Sequence, residues 1–394
     1  MDNILSKKNI CIITIALENS PGSYSYILKN LLLVLSPLYN KIYLISSNLE
    51  ANNIYAKDNL ILLDFNSSFR IFNNIFLKII YQLFISLKIS FLLIKTQKKI
   101  SGPVFILGGS FALPAIMSKL LKKKTVLTAI APESFNALNI YKSIPLIKIN
   151  IHSIFIHILE KTCHIFSDYL LVESPNVSRF INIGTTNRLK VIGTGSLFIL
   201  EDIFHQIVRY KERDLVIGFI GRFSAEKGII NFIKAIPYIL TYEPDMIIKI
   251  HGNGPLLEEI DKLIDEFRIQ DKIKLEGWIN HNELPLYLNK LKLLVIPSYT
   301  EGLSNIMLEA MACGTPVLAT PVGGIPDIII DSKNGFIMKQ NSPECIAQNV
   351  GRAIHHKEID IIADNARLYI TNEFTYENVS KKWKNNIQKI MNNK

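Results

Sequence analysis

The sequence is poor in cysteine and has no long uncharged apolar run. Four cysteines occur in 394 residues without any C-x-x-C spacing, which excludes a small disulfide scaffold and predicts reduced thiols in a cytoplasmic protein. The most apolar stretch, 71–94, is interrupted by Lys78 and Lys88, so it lacks the roughly 20 uncharged residues expected of a membrane span. The apolar run 10–16 is short and has no small-residue cleavage site, so we predict a buried strand there rather than a secretory signal.

Acidic residues are absent from residues 66–124, which hold ten Lys and Arg. The net charge of +10 is therefore uneven: residues 1–200 carry 21 basic and 9 acidic side chains, a net +12, and residues 201–394 carry 23 and 25, a net −2. Such a basic face suits nucleic acid or an anionic membrane surface. Because no aromatic-interleaved RNA motif or recognition-helix pattern accompanies it, we expect no nucleic-acid partner.

Short apolar runs alternate with longer helical patterns along the whole chain. The runs are continuous, which indicates parallel strands buried on both faces. We predict an α/β fold of two tandem doubly wound, Rossmann-like domains over 1–200 and 214–373, with a cleft between them and ligands bound in loops after the strands. The predicted strands cover 10–15, 41–46, 60–63, 104–107, 125–129, 169–172, 215–220, 246–250, 273–276, 293–296, 316–319 and 335–337.

The loop GFIGRFSAEKG, at 218–228, joins a predicted strand to a predicted helix. Gly221 permits close backbone approach, and Arg222 and Lys227 place two cations beside a helix N-terminus, which itself favours anions. The combination suits a diphosphate. The alternative is an ordinary strand–helix turn with two solvated basic residues.

Two further loops follow strands. HGNGP, at 251–255, holds Gly252 and Gly254 for a tight turn, and His251 is either a ligand contact or a structural histidine. EGW, at 276–278, ends a strand, and Trp278 either shelters a nucleotide base or belongs to the core.

The strongest indication of a ligand site lies at 297–317, in the loop and helix PSYTEGLSNIMLEAMACGTPV. Ser304 is a candidate N-cap, and Glu309 is the one polar side chain in the helical run 306–313, which predicts a buried carboxylate that needs a partner. Glu301 lies eight residues earlier, at the loop that enters the same helix. Two acids on either side of an anion-binding helix end fit a nucleotide sugar, which has hydroxyls at both ends and phosphates between. A salt-bridged structural Glu309 is the alternative.

These motifs, in this order, resemble the GT-B glycosyltransferases, specifically glycosyltransferase family 4. The resemblance runs almost continuously from about 215 to 355 and includes the GR-x4-KG element, the G-x-GP turn, the E-x7-E pair and VGGIPDII…NGF at 322–336. It implies a retaining transfer of a hexose-type sugar from a UDP- or GDP-type donor, without a cofactor or metal. Arg222 and Lys227 would stabilise the leaving diphosphate together with the backbone amides of Gly302, Leu303 and Ser304. Glu309 would bind ribose hydroxyls, and Glu301 the hydroxyls of the donor sugar.

The first half resembles the family more weakly. The usual Gly-Gly loop after the first strand retains one glycine, Gly22, and the usual Asn-Gly is replaced by Thr-Gly-Ser at 194–196. The histidine often found after the fifth strand is absent, and Glu133 is the candidate in its loop. Gly109 and Ser110 follow another strand and are expected on the acceptor side. Residues 374–391 look like the C-terminal helix that crosses back onto the first domain.

The basic first half fits a glycosyltransferase whose acceptor is lipid-linked or a growing cell-surface glycan, such as a lipopolysaccharide or capsular polysaccharide. We expect a peripheral protein on the cytoplasmic face of an anionic membrane, with these lysines at the headgroups: Lys78, Lys88, Lys95, Lys98, Lys99, Lys122, Lys123 and Lys124. A core helix with solvated lysines is the alternative for that region. The rival functions are another GT-B enzyme, such as a nucleotide-sugar epimerase, and a non-catalytic sugar-nucleotide-binding partner subunit.

Overall fold

A computed structural model describes residues 7–14, 23–46, 58–65, 74–129, 146–180, 190–193 and 197–392. The chain divides into two compact units, one formed by Met1–Leu197 with Val379–Lys394 and the other by Phe198–Asn378. Gly22, Glu133 and residues 194–196, which the sequence analysis compares with the family's usual loops, lie outside the described residues.

The first unit is built on a parallel sheet. The described strands pair in the order β3-β2-β1-β4-β5-β6-β7, and every pairing is parallel. The strand cores are apolar and fully buried in β1 and β4, as continuous apolar runs predict. The strands are β1 Asn9–Ile13, β2 Lys41–Ser46, β3 Leu60–Asp64, β4 Val104–Leu107, β5 Thr125–Ala129, β6 Tyr169–Val172 and β7 Lys190–Gly193.

The helices of the first unit include the end of the chain. The described helices are α1 Ser23–Leu35, α2 Ile75–Thr96, α3 Ala112–Leu120, α4 Leu146–Phe166, α5 Pro175–Phe180 and the C-terminal α13 Tyr376–Asn392. The ring of Trp383 on α13 is fully buried, 6.2 Å from that of Phe105 on β4. The Lys124 ammonium donates to the Ile390 carbonyl at 2.8 Å. These contacts attach most of α13 to the first unit.

Helix α2 is the one helix in the described part of the chain that is long and apolar enough to cross a membrane by length and composition. It nevertheless packs against α3 and β2. Ile85, Ile89 and Leu93 belong to the hydrophobic core of the first unit. One side of α2 is therefore already committed to that core.

The second unit holds another parallel sheet. Its described strands pair in the order β10-β9-β8-β11-β12-β13. They are β8 Val216–Ile220, β9 Ile247–His251, β10 Ile273–Glu276, β11 Leu293–Ile296, β12 Val317–Ala319 and β13 Phe336–Ile337. The helices are α6 Ile229–Tyr242, α7 Leu257–Phe267, α8 Leu284–Leu288, α9 Asn305–Ala312, α10 Ile325–Ile328, α11 Pro343–Ile354 and α12 Ile359–Glu373. Because β10, β9, β8, β11 and β12 are consecutive neighbours, the loops at their carboxyl ends share one edge of the sheet.

Candidate functional site

The loops after β8 and β9 are joined by backbone hydrogen bonds. Gly221 N–H donates to the His251 carbonyl at 3.0 Å, and Phe223 N–H donates to the Asn253 carbonyl at 2.9 Å. Gly252 has φ +148°, and a Cβ at this position would lie 1.9 Å from the Gly221 oxygen. A side chain at residue 252 would therefore push the two loops apart, which explains the glycine in HGNGP.

A short 3-10 turn, Ala225–Lys227, brings the loop after β8 against the loop after β11. Tyr299 N–H donates to the Glu226 carbonyl at 2.8 Å. Gly228 has φ +69°, and a Cβ there would lie 1.9 Å from the Pro297 oxygen. The glycine thus permits the close contact that fixes Lys227 beside residues 297–301.

The Lys227 and Glu301 side chains, 74 residues apart in sequence, form an ion pair. Lys227 Nζ lies 2.7 Å from Glu301 Oε1, and the Ser298 hydroxyl donates to the same oxygen at 2.8 Å. Glu301 is 8% exposed. Its other oxygen, Oε2, accepts no hydrogen bond from the residues that the structure describes. Glu301 is therefore held through one oxygen and has the second available to a ligand.

The N-terminus of α9 leaves three consecutive backbone donors unused. The N–H groups of Gly302, Leu303 and Ser304 donate to no group within the described ranges, and all three residues are buried. Ser304 is the N-cap residue, as predicted, but its side chain makes no capping bond. Unpaired N–H groups at a helix N-terminus form an anion-binding site, because the helix dipole adds to their partial positive charge.

The VGG segment after β12, residues 322–324, packs against the loop that precedes α9. Gly324 N–H donates to the Gly302 carbonyl at 2.6 Å. Gly323 has φ +56°, and a Cβ there would lie 1.9 Å from the backbone carbonyl oxygen of Glu301. Gly323 therefore lets one loop rest directly on the backbone of the other, a role that the sequence did not reveal.

Glu309 is buried on α9, as the apolar run around it predicts, with an exposed fraction of 4%. Its Oε1 lies 3.0 Å from His281 Nε2. The His281 side chain is 43% exposed and its ring packs edge-on against Phe204. No sequence motif identifies His281, because it lies in a polar loop just before α8, which begins at Leu284.

Of the other predicted site residues in the second unit, His251 is buried, and Arg222 and Trp278 are exposed. The His251 ring is 3% exposed; it lies 3.3 Å from the Gly277 oxygen, 3.2 Å from a Glu276 oxygen, and edge-on to Tyr287. Burial lowers the pKa of His251 and outweighs the opposing effects of the Gly277 carbonyl and Glu276. These contacts favour the structural alternative for His251.

Arg222 and Trp278 are exposed. Arg222 makes no side-chain hydrogen bond or ion pair to any described residue, so its guanidinium is available to a ligand of the loop after β8. Gly254 approaches the Phe223 backbone so closely that a Cβ would lie 2.4 Å from its oxygen.

The opposite end of α9 is fixed by a buried arginine. Arg213 donates to the carbonyls of Leu291 at 2.9 Å and Cys313 at 2.8 Å, and to the Thr315 hydroxyl at 2.7 Å. Burial lowers the pKa of Arg213 to about 10, so it stays charged at pH 7 and complements the C-terminal end of the helix. The anion-binding end of α9 therefore belongs to a firmly anchored element.

In the first unit, Gly109 and Ser110 follow β4 and are half-buried. Gly108 has φ +113°, and a Cβ on Gly109 would lie 2.9 Å from the Glu160 side chain. The described residues contain no group of three or more His, Cys, Asp or Glu that could hold a metal ion.

Comparisons with known proteins find one matching family model, similar curated glycosyltransferases and solved structures of the same fold. Residues 201–369 match the family model for glycosyl transferases group 1. The capsular polysaccharide biosynthesis glycosyltransferase CapM of Staphylococcus aureus is 24% identical over 237 residues, 56% of this chain and 61% of that protein. The chain spans about half the length of the first curated relatives it matches, from 46% to 59%.

Two solved structures cover nearly the whole chain. Sucrose-phosphate synthase from Thermosynechococcus elongatus superposes with a TM-score of 0.77 at 16% identity, covering 98% of this chain and 99% of that one. Anabaena HepE in complex with UDP-glucose superposes with a TM-score of 0.72 at 15% identity, covering 97% and 100%. Together with the two parallel sheets, these matches show the GT-B fold that the sequence predicts.

Proposed function

We propose that the protein transfers a hexose-type sugar from a nucleoside-diphosphate donor to a glycan acceptor, as a GT-B chain whose residues 201–369 match the group 1 glycosyl transferase model. The observation that carries the proposal is the group of charges around the start of α9. Three unpaired buried N–H groups, the Lys227–Glu301 pair and the buried Glu309 belong to one sheet edge.

The diphosphate of the donor binds at the N-terminus of α9. The amides of Gly302, Leu303 and Ser304 donate to phosphate oxygens from one side, and Lys227 and Arg222 supply positive charge from the other. As the bond to the sugar breaks, negative charge grows on the leaving phosphate, where these fixed donors stabilise it. The two cations supply the charge that a metal ion provides in other transferases, so we propose metal-independent transfer without a cofactor.

The two carboxylates bind the two ends of the donor. Glu301 already uses Oε1 for Lys227 and Ser298, and its Oε2 accepts from hydroxyls of the donor sugar. Glu309 accepts from the ribose hydroxyls, replacing or sharing the contact with the exposed His281. Trp278 lies exposed at the end of β10, where it can cover the base of a UDP- or GDP-type donor.

Retention of the anomeric configuration follows from the family 4 resemblance rather than from a residue of this chain. In front-face attack the departing phosphate accepts the proton of the acceptor hydroxyl, so the protein needs no general base. The anion site at α9 then holds both the leaving group and the base of the reaction.

The acceptor proposed here is a lipid-linked or cell-surface glycan. CapM, a relative by sequence, is named for capsular polysaccharide biosynthesis, and the chain's first half is strongly basic. All four cysteines are free and three are buried, which supports a cytoplasmic location where nucleotide sugars are made.

A panel of UDP-, GDP- and ADP-sugars tests the proposal. We expect one UDP- or GDP-sugar to bind by calorimetry and to release its nucleoside diphosphate when a glycan acceptor is present, with EDTA leaving the rate unchanged. NMR of the product is expected to show the donor's anomeric configuration. Inversion of C2 of the free nucleotide sugar would indicate an epimerase instead, and binding without any turnover would indicate a non-catalytic partner subunit.

A further inference from the structure

Helix α2 of the first unit has an apolar face that the residues described by the structure leave exposed. Eight large apolar side chains on it are between 38% and 68% exposed. With 100° per residue, they fall within about a third of the helix circumference, opposite the buried Ile85, Ile89 and Leu93. They are Phe76, Leu77, Ile80, Leu83, Phe84, Leu87, Phe91 and Ile94. We call this set the apolar arc.

A second exposed stripe lies on the neighbouring helix. Helix α4 packs against α2 and α3. It exposes four isoleucines at helical spacing, Ile151, Ile154, Ile158 and Ile165. Single exposed apolar residues need no explanation, but a set of twelve on two adjacent helices marks a binding surface.

The charges beside the apolar arc indicate which kind of partner binds there. Lys95, Lys98 and Lys99 lie exposed at and just beyond the C-terminal end of α2, and Lys122 is exposed after α3. No acidic residue occurs anywhere from 66 to 124. A second copy of the chain would bring the same lysines together across a two-fold axis without an acidic partner from α2 or α3. An anionic lipid surface offers both the apolar and the negatively charged contact.

The structure also removes four lysines from the predicted headgroup set. Lys123 Nζ donates to the Ile100 carbonyl at 2.6 Å, and Lys124 Nζ donates to the Ile390 carbonyl at 2.8 Å. Lys88 Nζ donates to the Phe65 carbonyl at 3.2 Å and lies over the Phe84 ring. Lys78 is half-buried, and its side chain interacts with another group of the protein. These side chains are engaged within the protein, so the cationic part of the surface is Lys95, Lys98, Lys99 and Lys122.

We propose that α2 lies flat in the interface of an anionic membrane, with the apolar arc inserted at the headgroup–acyl boundary and Lys95, Lys98 and Lys99 on anionic headgroups. Such in-plane helices are recognised by an apolar face and a basic polar rim. Crossing the membrane is incompatible with the structure, because Ile85, Ile89 and Leu93 would have to leave the core of the first unit. The proposal goes beyond the transferase function, and its test does not depend on turnover.

Co-sedimentation of the full chain with vesicles tests it. We expect binding to vesicles of phosphatidylcholine with phosphatidylglycerol and little binding to phosphatidylcholine alone. The variant Ile80→Glu with Leu87→Glu removes binding, because two charges enter the centre of the arc. Neutralising Lys95, Lys98 and Lys99 to Gln weakens it about fivefold per residue, the effect of about 1 kcal/mol per lysine at an anionic surface.

A matched control exists on α12 of the second unit. Ile361 and Leu368 are also exposed and also seven residues apart, and Ile361→Glu with Leu368→Glu is expected to bind like the parent. Equal binding to both vesicle types, or to neither, overturns the proposal. So does a concentration-dependent dimer that Ile80→Glu with Leu87→Glu converts to monomer, since the arc would then be a self-association face. Calorimetric donor binding, measured on the same variants, is expected to be unchanged, which separates this test from that of the transferase.

Discussion

Replacing Lys227 by alanine is expected to lower kcat by 10²- to 10³-fold while the protein remains folded. Lys227 is the cation fixed by Glu301 next to the start of α9. Its charge acts on the leaving phosphate where negative charge develops, and loss of one such preorganised donor costs roughly 3–4 kcal/mol of transition-state stabilisation. Steady-state release of nucleoside diphosphate, with the thermal midpoint recorded beside it, is the measurement.

The matched control is Lys234→Ala. Lys234 is an exposed lysine on α6, the helix that follows the same loop, and this variant is expected to keep parental kinetics. If Lys227→Ala retained activity within a few fold of the parent, Lys227 would not act on the leaving group. A parallel loss in Lys234→Ala would point to a general charge effect on the donor instead.

Glu309→Ala is expected to reduce kcat/KM about 100-fold or more with little loss of stability. Two hydrogen bonds from ribose hydroxyls to a charged, buried acceptor are worth roughly 1.5–3 kcal/mol each. Breaking an ordinary buried ion pair destabilises a protein by about 3–5 kcal/mol, because a charge is left buried without a partner. Here the partner left behind is His281, which is 43% exposed and remains hydrated, so the free energy of unfolding should change by only about 1 kcal/mol.

His281→Ala distinguishes a binding role of Glu309 from a structural one. It removes the protein partner of the carboxylate but leaves the carboxylate itself for the ribose. We expect it to keep most of the activity that Glu309→Ala loses. Equal losses of activity and of stability in the two variants would mean that the pair serves the fold, which is the salt-bridged alternative raised by the sequence.

The fold was predictable because buried parallel strands are continuous apolar runs. All six strands predicted in the second unit agree with the structure to within one residue at each end, and Ile273–Glu276 and Leu293–Ile296 agree at both ends. Strand Lys190–Gly193 and helix Ile359–Glu373 were not predicted. The first is four residues long, and the second carries polar residues on much of its surface, so neither has a strong apolar pattern.

The candidate site residues that could be predicted are those that stand out from their immediate sequence neighbours. Glu309 stood out as one acid in an apolar helix, and Lys227 as a cation at a helix start. Contacts that join distant segments gave no such signal. Lys227 contacts Glu301 across 74 residues, and His281 contacts Glu309 across 28 residues.

Whether a lysine is available to a membrane depends on what its ammonium group contacts in the folded protein. The basic stretch 66–124 predicted eight membrane lysines as a block, since sequence alone does not separate solvated ammonium groups from engaged ones. Lys124 shows the difference: its ammonium binds carbonyls at the end of α13, 266 residues away. That contact belongs to the attachment of the C-terminal helix, which no composition window detects.

Hydrogen–deuterium exchange with added UDP or GDP tests the central claim most directly, because that claim places the diphosphate on the backbone amides at the start of α9. With the nucleotide that binds by calorimetry, exchange is expected to slow in peptides covering 298–308 and 219–228. Peptides of α11 and α12 are expected to exchange at the same rate with and without it. Nucleotide binding that leaves 298–308 unprotected, or no binding of either nucleotide, would contradict the account.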